Sequence, residues 1–281
     1  MTSLASLPRI FNPGNLGLTI IVPVFNEENT VCEILCDLIA MDTNFRYEII
    51  VVNDGSSDSS SEIISRLEHL LHIRYVNLEK NQGKGHAVRT GISLASYSHV
   101  LIFDADLEYS AFDIPRLMVP IMAGRADFVY GVRIRGINNL QPSYLYAVGR
   151  KFITTIANVT YGSAISDLYT CLKLLPTDFL REIRLAEDGF GLDAEISCQM
   201  LRNGYRPFEI PISYIGRTHA DGKNIKFRDA LICFSVIIKK RFAPKMKLQE
   251  FGYKKAFKSL TYAQKDSLMW HGEHQWLTMP H

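Results

Sequence analysis

The sequence predicts an α/β fold with a doubly wound, mostly parallel sheet, and two observations carry this prediction. Apolar strands alternate with helices from Leu18 to Gly131, which is the pattern of parallel βαβ units. Polar residues gather directly after four of these strands, at the sheet edge where such folds bind ligands. The 281 residues are ample for a full hydrophobic core.

The elements follow one another in strict order over this part of the chain. The predicted strands are LTIIVPVF, YEIIVVND, IRYVNL, HVLIFDAD and DFVYGV. The predicted helices between them are EENTVCEILCDLIA, SSSEIISRLEHLL, GHAVRTGISLAS and FDIPRLMVPIMAG. After Gly131 we expect helices at SYLYAVGRKFITTIANVTYG, GLDAEISCQMLRNG and KFRDALICFSVIIKKRF, with strands at ISDLYTCLKLLP and RPFEIPISYIG.

Composition limits the classes of partner. The net charge of +2 is too small for a protein whose main partner is nucleic acid. Residues 1–17 show no signal peptide, and the longest apolar run, Ala230–Ile238, is too short to span a membrane. The five cysteines are scattered, as expected of free thiols in a reducing compartment. We therefore expect a cytoplasmic chain and leave peripheral contact with a membrane open.

The segment VLIFDADLEYS places two carboxylates at the end of an apolar strand. Asp104 and Asp106, separated by Ala105, point the same way if the strand continues, and they then repel each other unless a cation lies between them. Mg²⁺ and Mn²⁺ prefer such oxygen ligands. The alternative is a solvated turn.

Three further polar segments follow the other strands. In NQGKGHAVRTG, Gly83 and Gly85 flank Lys84 at a helix start, where backbone N–H groups can bind an anion; a glycine-eased turn is the alternative. In VNDGSSDS, Asp54 can accept from a nucleobase or a ribose, or form an Asx-turn and cap a helix.

The third segment, VPVFNEEN, follows the first strand. Here Phe25 can pack on a base, and Glu27 can hold ribose or cap the next helix. Because all four segments converge on one sheet edge, they favour a binding site over four separate turns.

The ordered motifs V-P-V-F-N-E-E, V-V-N-D-G-S-S-D, N-x-G-K-G-x-A and D-A-D resemble those of the family 2 glycosyltransferases with the GT-A fold. Within that family the chain most resembles the dolichol-phosphate mannosyltransferase-like and polyprenyl-phosphate sugar transferase branch. The resemblance covers residues 18–242, which would comprise a nucleotide-sugar-binding half (18–131) and an acceptor half (132–242). Residues 1–17 would be an extension and residues 243–281 a peripheral tail.

The resemblance implies an inverting transferase that uses a nucleotide-diphosphate sugar, with a GDP or UDP moiety, and Mg²⁺ or Mn²⁺. The residues it implies for donor and cofactor binding are Pro23, Phe25, Glu27, Asp54, Lys84, Asp104, Ala105 and Asp106. Glu108 stands where the branch often has Gln and would join Asp104 and Asp106 as a metal ligand. Arg133, in a G-V-R that resembles the family's G-S-R, would face phosphate.

Two later motifs complete the implied site. In GFGLDAEISCQML, Asp193 resembles the base of many inverting relatives, although Leu192 replaces the Glu that usually precedes it; a helix N-terminal carboxylate is the alternative. The segment YIGRTHADGKNIKFRDAL resembles the Y-x-x-R…G-K-K-I motif of the polyprenyl-phosphate branch. Arg217, His219 and Lys223 would then close over the diphosphate or an acceptor phosphate.

Several alternatives stay open from the sequence. A lipid-phosphate acceptor is already anionic and needs no base, whereas a hydroxyl of a glycan, a protein or a small molecule would need one, such as Asp193. A sugar nucleotidyltransferase usually has a glycine-rich basic loop after its first strand, where this chain has PVFNEEN. A non-catalytic subunit is disfavoured by the intact acidic residues.

The last predicted helix has an apolar stripe that ends in basic residues. The stripe is made of Phe227, Leu231, Phe234, Ile238 and Phe242. Packing of the stripe on the sheet is favoured over docking in a membrane interface, because apolar helix faces normally form core. Lys239 and Lys240 would interact with the helix dipole in the first case and with anionic headgroups in the second.

Overall fold

The computed structural model describes residues 16–133, 139–140, 144–189, 191–217 and 227–244. The strands in these ranges are β1 Leu18–Val24, β2 Tyr47–Asn53, β3 Arg74–Asn77, β4 His99–Ile102, β5 Val129–Val132, β6 Asn139–Leu140, β7 Lys173–Pro176, β8 Phe208–Pro211 and β9 Tyr214–Ile215. The helices are α1 Val31–Ile39, α2 Ser60–Leu71, α3 Lys84–Leu94, α4 Ile114–Met122, α5 Tyr144–Tyr161, α6 Thr177–Glu182, α7 Leu192–Arg202 and α8 Phe227–Phe242.

Seven strands form one sheet in the order β3-β2-β1-β4-β7-β5-β8. β7 runs antiparallel to both of its neighbours, and every other pair in this sheet is parallel. The predicted α/β class with a mostly parallel sheet is confirmed. β6 and β9 form a separate two-stranded parallel sheet beside it.

The sheet is buried between two helical layers, because alternate strand residues face opposite sides. On one side Leu18 and Ile20 belong to a core that includes residues of α1, α2 and α4. On the other side Ile21 and Ile102 belong to a core that includes residues of α3, α5, α6, α7 and α8. The four predicted polar segments lie at the carboxyl ends of β1, β2, β3 and β4.

Three differences from the predicted elements affect residues at or near the candidate site. β4 ends at Ile102, so Asp104 and Asp106 lie in the loop after the strand. RPFEIPISYIG divides into β8 and β9, because the Asp113 carboxylate accepts a hydrogen bond from the Ser213 N–H at 2.7 Å and holds this N–H away from the ladder. Only Lys173–Pro176 of ISDLYTCLKLLP is a strand, and α6 follows it directly.

The two halves predicted within residues 18–242 share the main sheet. The boundary at residue 131 falls inside β5, and both halves contribute strands. Within the described ranges, no helix combines the length and the apolar character needed to cross a bilayer.

The apolar stripe of α8 lies on the outside, so the prediction that it packs on the sheet is wrong for the described side chains. Cys233, Val236 and Ile237 form the buried face of the helix instead. The stripe side chains are exposed: Leu231 54%, Phe234 44%, Ile238 38% and Phe242 80%. α8 therefore has two apolar faces, of which one packs against the core and the other is exposed among the described residues.

Candidate active site

Asp104 forms a tight ion pair with Lys84, the first residue of α3. The ammonium Nζ lies 2.7 Å from one carboxylate oxygen and 2.8 Å from the other. Burial alone would raise the pKa of Asp104, but the Lys84 charge lowers it below its ordinary value. Burial likewise opposes the charge on Lys84, yet Asp104 raises its pKa well above the ordinary value. Both groups are therefore ionised.

Asp106 contacts a different cation, the guanidinium of Arg217. The guanidinium Nη2 lies 3.2 Å from Asp106 Oδ2 and 3.5 Å from Glu27 Oε1. Burial raises the pKa of Asp106 to about 7, with further contributions from the charges of Asp104 and Glu108. The negative charge around Asp106 thus exceeds what its described cationic partner neutralises.

Glu108 anchors the segment that carries Arg217. One carboxylate oxygen accepts from the Tyr214 hydroxyl at 2.9 Å, and the other accepts from the Arg217 backbone N–H at 2.7 Å. Leu107, between the acidic residues, has a φ of 58°, a conformation that is unusual for leucine. This arrangement fits an anchoring role for Glu108 better than the expected role of metal ligand.

Asp54 caps the start of α3 rather than projecting freely into the site. Its two carboxylate oxygens accept from the backbone N–H of Gln82 at 2.9 Å and of Gly83 at 2.7 Å. The Gly85 N–H donates to the Asp188 carbonyl at 2.9 Å. The expectation that both glycines offer N–H groups to an anion is therefore corrected, because these donors already have protein partners.

The residues after β1 form the outer wall of the site. The Phe25 side chain is 44% exposed, as needed for packing on a base, and Pro23 is partly buried within the strand. The Thr30 hydroxyl donates to the Ala105 carbonyl at 2.6 Å, and its oxygen lies 2.9 Å from the Glu27 carboxylate. Burial raises the pKa of Glu27 above its ordinary value. Thr30 thus connects the loop after β1 to the loop after β4.

Arg133 lies in a buried ion pair, which corrects the expectation that it faces phosphate. Its Nε and Nη2 donate to the two oxygens of Asp167 at 2.7 and 3.0 Å. The guanidinium carbon lies 4.9 Å from the Tyr214 ring centroid. Arg150 also contacts Asp167, at 3.4 Å. Arg133 therefore has a structural role, in which it links Asp167 to the Tyr214 ring.

Asp193, in the first turn of α7, lies between two lysines. The ammonium of the fully buried Lys173 is 2.6 Å from Asp193 Oδ1, and the Lys84 ammonium is 3.7 Å from Oδ2. Asp104, Lys84, Asp193 and Lys173 thus form an alternating row of charges beneath the sheet edge.

The Nε of Arg217 is a buried hydrogen-bond donor without an acceptor among the described residues. This nitrogen is inaccessible to solvent. A buried donor of this kind normally has an acceptor, and a phosphate oxygen is one that matches arginine well. His219 and Lys223, the other basic residues predicted for this segment, lie outside the described residues.

The acidic pair fits a hard divalent cation in its chemistry. Asp104 and Asp106 offer only oxygen atoms, and Mg²⁺ is commonly held by one or two carboxylates together with substrate phosphates and water. In the described ranges, no group of three His, Cys, Asp or Glu side chains converges to bind a metal. The two aspartates are thus the ligands that the described residues provide.

The model of the family described as Glycosyl transferase family 2 matches residues 19–184, more than half of the chain. The chain belongs to this family. The chain is also 30% identical over 233 residues to undecaprenyl-phosphate 4-deoxy-4-formamido-L-arabinose transferase of Pseudomonas fluorescens, covering 78% of this chain and 64% of that protein. It is 24% identical over 220 residues to the glycosyltransferase AglJ of Haloferax volcanii, covering 78% and 70%. The chain thus spans slightly less than two thirds of the Pseudomonas relative.

Solved structures place this family 2 glycosyltransferase in the GT-A fold. Glucosyl-3-phosphoglycerate synthase from Mycobacterium tuberculosis in complex with UDP superposes with a TM-score of 0.65 at 14% identity, covering 82% of each chain. The same enzyme with Mn²⁺, UDP and phosphoglyceric acid gives a TM-score of 0.64 at 14% identity, covering 82% of this chain and 80% of that one. At this identity the likeness shows the fold.

Three buried charged residues at or near the candidate site were missed by sequence reasoning. Lys173, Asp167 and Glu195 are buried charged residues that pair with other charges. The available signal was a charged residue within an apolar stretch, as in CLKLLP, because such residues are rarely buried without a partner. The partner itself comes from a distant segment and cannot be found from local spacing.

Proposed function

We propose that the chain transfers a hexose, with inversion, from a GDP- or UDP-sugar to a polyprenyl phosphate, using Mg²⁺ or Mn²⁺. The observation that carries this proposal is the buried Nε of Arg217, beside Asp106, which has no hydrogen-bond partner among the described residues. It combines a donor suited to phosphate with a carboxylate suited to a divalent cation, as a diphosphate leaving group requires.

In the proposed reaction, the residues around Asp104 and Asp106 stabilise the leaving diphosphate. An acceptor phosphate oxygen forms a bond to the anomeric carbon on the face opposite the nucleotide, the bond from that carbon to the diphosphate breaks, and the configuration inverts. When bound by Asp104 and Asp106, the metal ion supplies positive charge to the leaving diphosphate. Arg217 and Lys84 add fixed positive charge, and Lys223 would do so from outside the described residues.

The contacts of Asp193 favour a phosphate acceptor over a hydroxyl. A hydroxyl acceptor needs a base within hydrogen-bond reach. Asp193 instead lies in ion pairs with Lys173 and Lys84. An anionic phosphate needs no proton removed, so we propose that Asp193 orders the lysines. The names of the undecaprenyl-phosphate transferase relatives support the same class of acceptor.

The exposed stripe of α8 supports a lipid acceptor. Leu231, Phe234 and Phe242 project outward from a helix whose last turn is basic. We propose that this face lies in the interface of a membrane with anionic lipids, as a peripheral contact. Lys240 does not belong to this contact, because it pairs internally with Glu195.

A panel assay tests the proposal. The full chain would be incubated with UDP- and GDP-sugars, Mn²⁺ or a chelator, and either a polyprenyl phosphate or the matching polyprenol. We expect metal-dependent transfer to the phosphate alone, with inverted anomeric configuration by NMR. Transfer to the polyprenol, or to soluble hydroxyl acceptors only, would support the alternative of a glycosyltransferase that acts on a hydroxyl. Formation of a sugar nucleotide from a sugar phosphate would indicate a nucleotidyltransferase.

A further inference from the structure

Glu195 is a fully buried carboxylate on α7, two residues after Asp193. It accepts hydrogen bonds from the backbone N–H groups of Ala186, at 2.9 and 3.1 Å, and of Glu187, at 2.9 Å. The Lys240 ammonium of α8 forms an ion pair with the same carboxylate. Both of its oxygens therefore accept from the loop that precedes α7, and one of them also pairs with α8.

That loop lies directly on the first turn of α3. The Asp188 carbonyl accepts the Gly85 N–H at 2.9 Å, and the Asp188 carboxylate pairs with Arg89 one turn further along the helix. A β-carbon at Gly85 would lie only 1.9 Å from the Glu187 carbonyl oxygen, and one at Gly83 would lie 2.5 Å from the Asp188 oxygen. No side chain fits between the loop and the helix.

We propose that Glu195 is a positioning residue that orients Lys84 for the donor diphosphate by fixing residues 186–188 against α3. Lys84 lies between Gly83 and Gly85, so the loop contacts both of its neighbours. The Lys84 side chain extends to Asp104 in the acidic pair. Glu195 orients Lys84 whether or not a ligand is bound, and the effect of this orientation on catalysis rests on the proposed donor.

Lys240 neutralises the buried carboxylate that fixes the loop. A buried charge is tolerated only when it is paired and hydrogen-bonded, and Glu195 meets both conditions. Because Lys240 belongs to α8, the helix with the exposed apolar stripe is joined to the start of α3 through Glu195 and the loop. The neighbouring Lys239 is exposed and provides a matched control.

Substrate-free measurements test the positioning role first. The variant Glu195→Gln keeps the size of the side chain and one acceptor oxygen but removes the charge. We expect the Gly85 amide to exchange its hydrogen, and the Lys84 amine to react with an acylating reagent, roughly tenfold faster, the change that corresponds to losing one charge-assisted hydrogen bond. Lys240→Met should act in the same direction, and Lys239→Met should leave both rates unchanged.

Nucleotide binding then tests the link to the site. Glu195→Gln should weaken UDP or GDP binding with Mn²⁺ roughly tenfold, with little change for the nucleoside that lacks phosphates, and should add nothing in a Lys84→Met background. Unchanged Gly85 exchange and Lys84 reactivity in folded Glu195→Gln and Lys240→Met would overturn the positioning role. Absence of nucleotide binding by the wild-type chain would overturn the proposed donor, and the substrate-free rates would still decide the role of Glu195.

Discussion

The Lys84 ammonium bridges both carboxylate oxygens of Asp104, at 2.7 and 2.8 Å, whereas Asp106 meets only one guanidinium nitrogen of Arg217, at 3.2 Å. Two aspartates that look equivalent in the motif D-A-D thus have different electrostatic surroundings. The charge of Asp104 is compensated before any ligand binds. Asp106 has a pKa raised to about 7, because it is buried near two other carboxylates. The two positions should therefore respond in opposite ways to loss of charge.

Asp106→Asn should abolish most transfer while leaving the fold intact. The substitution removes a carboxylate that would hold the metal at the leaving diphosphate, which we expect to lower kcat by about 100-fold or more. It also removes a buried charge that is poorly compensated, so the melting temperature should stay the same or rise. Near-normal turnover with Mn²⁺ present would contradict the metal role.

Asp104→Asn should lower stability as well as activity. The substitution leaves the Lys84 ammonium with Asp193, 3.7 Å away, as its remaining described carboxylate partner. Loss of one partner of a buried pair typically costs 3–5 kcal/mol; because Lys84 keeps some solvent access, we expect about 1–3 kcal/mol in urea unfolding. Equal stability changes for Asp104→Asn and Asp106→Asn would refute the proposed difference between the two aspartates.

Gly85→Ala should disrupt the contact between α3 and the loop before α7. The added β-carbon would lie 1.9 Å from the Glu187 carbonyl oxygen, so the backbone must move. We expect a loss of more than about 2 kcal/mol in the free energy of unfolding and a raised KM for the donor.

Gly149→Ala is the matched control for this substitution. Gly149 lies within α5 and has open space where a β-carbon would be. Because alanine favours helices, this variant should gain up to about 1 kcal/mol. If both glycine variants unfold at the same urea concentration, the close approach at Gly85 is not as described.

The helices and strands could be predicted largely from local pattern, because apolar periodicity reports which face each element buries. LTIIVPV became β1 and YEIIVVN became β2 with little change. The convergence of polar segments was also predictable, since parallel strands end at one edge. The roles of individual residues at that edge were harder to predict from the sequence.

Those roles depend on partners that are distant in sequence. Arg133 was expected at phosphate, but Asp167, 34 residues away, pairs with it. Asp54 was expected at the nucleoside, with helix capping as the alternative, and it caps α3 through Gln82 and Gly83. Local sequence shows that a carboxylate is present at a strand end. Whether that carboxylate binds a backbone N–H or a cation depends on residues that the tertiary fold brings beside it.

His99 should make stability depend on pH between its unfolded and folded pKa values. The imidazole is buried at the start of β4, and burial lowers its pKa from 6.5 to about 4 despite an opposing hydrogen bond with the Asp127 backbone. Between these values the unfolded state binds a proton that the folded state does not. Stability is therefore complete above pH 6.5 and falls as the pH drops toward 4, by about 3 kcal/mol in total.

The comparison with His99→Gln isolates this contribution. Gln does not titrate, so the unfolding free energy of the variant should fall less steeply from pH 6.5 to 4 than that of the wild type, by about 1.4 kcal/mol per pH unit. Urea unfolding at several pH values measures both slopes. Parallel curves for the two proteins would show that His99 is protonated in the folded state as easily as in the unfolded one.

The exposed face of α8 should bind anionic membranes. Leu231 and Phe242 are 54% and 80% exposed, and burying such side chains in an interface contributes roughly 1.5–3 kcal/mol each. The double variant Leu231→Ser with Phe242→Ser should therefore reduce flotation with anionic liposomes by at least about tenfold. Leu70→Ser, at a position that is 73% exposed on α2, should leave flotation unchanged.

The basic end of α8 should contribute through Lys239 rather than Lys240. Lys239 is exposed, so Lys239→Glu should weaken flotation at low salt and have less effect at high salt, where charges are screened. Lys240 is paired with buried Glu195, so Lys240→Glu would destabilise the fold and is not a clean test. If the wild-type chain stays in the soluble fraction at low salt, and the Leu231 and Phe242 double variant keeps full activity on a polyprenyl phosphate, α8 does not dock on the membrane.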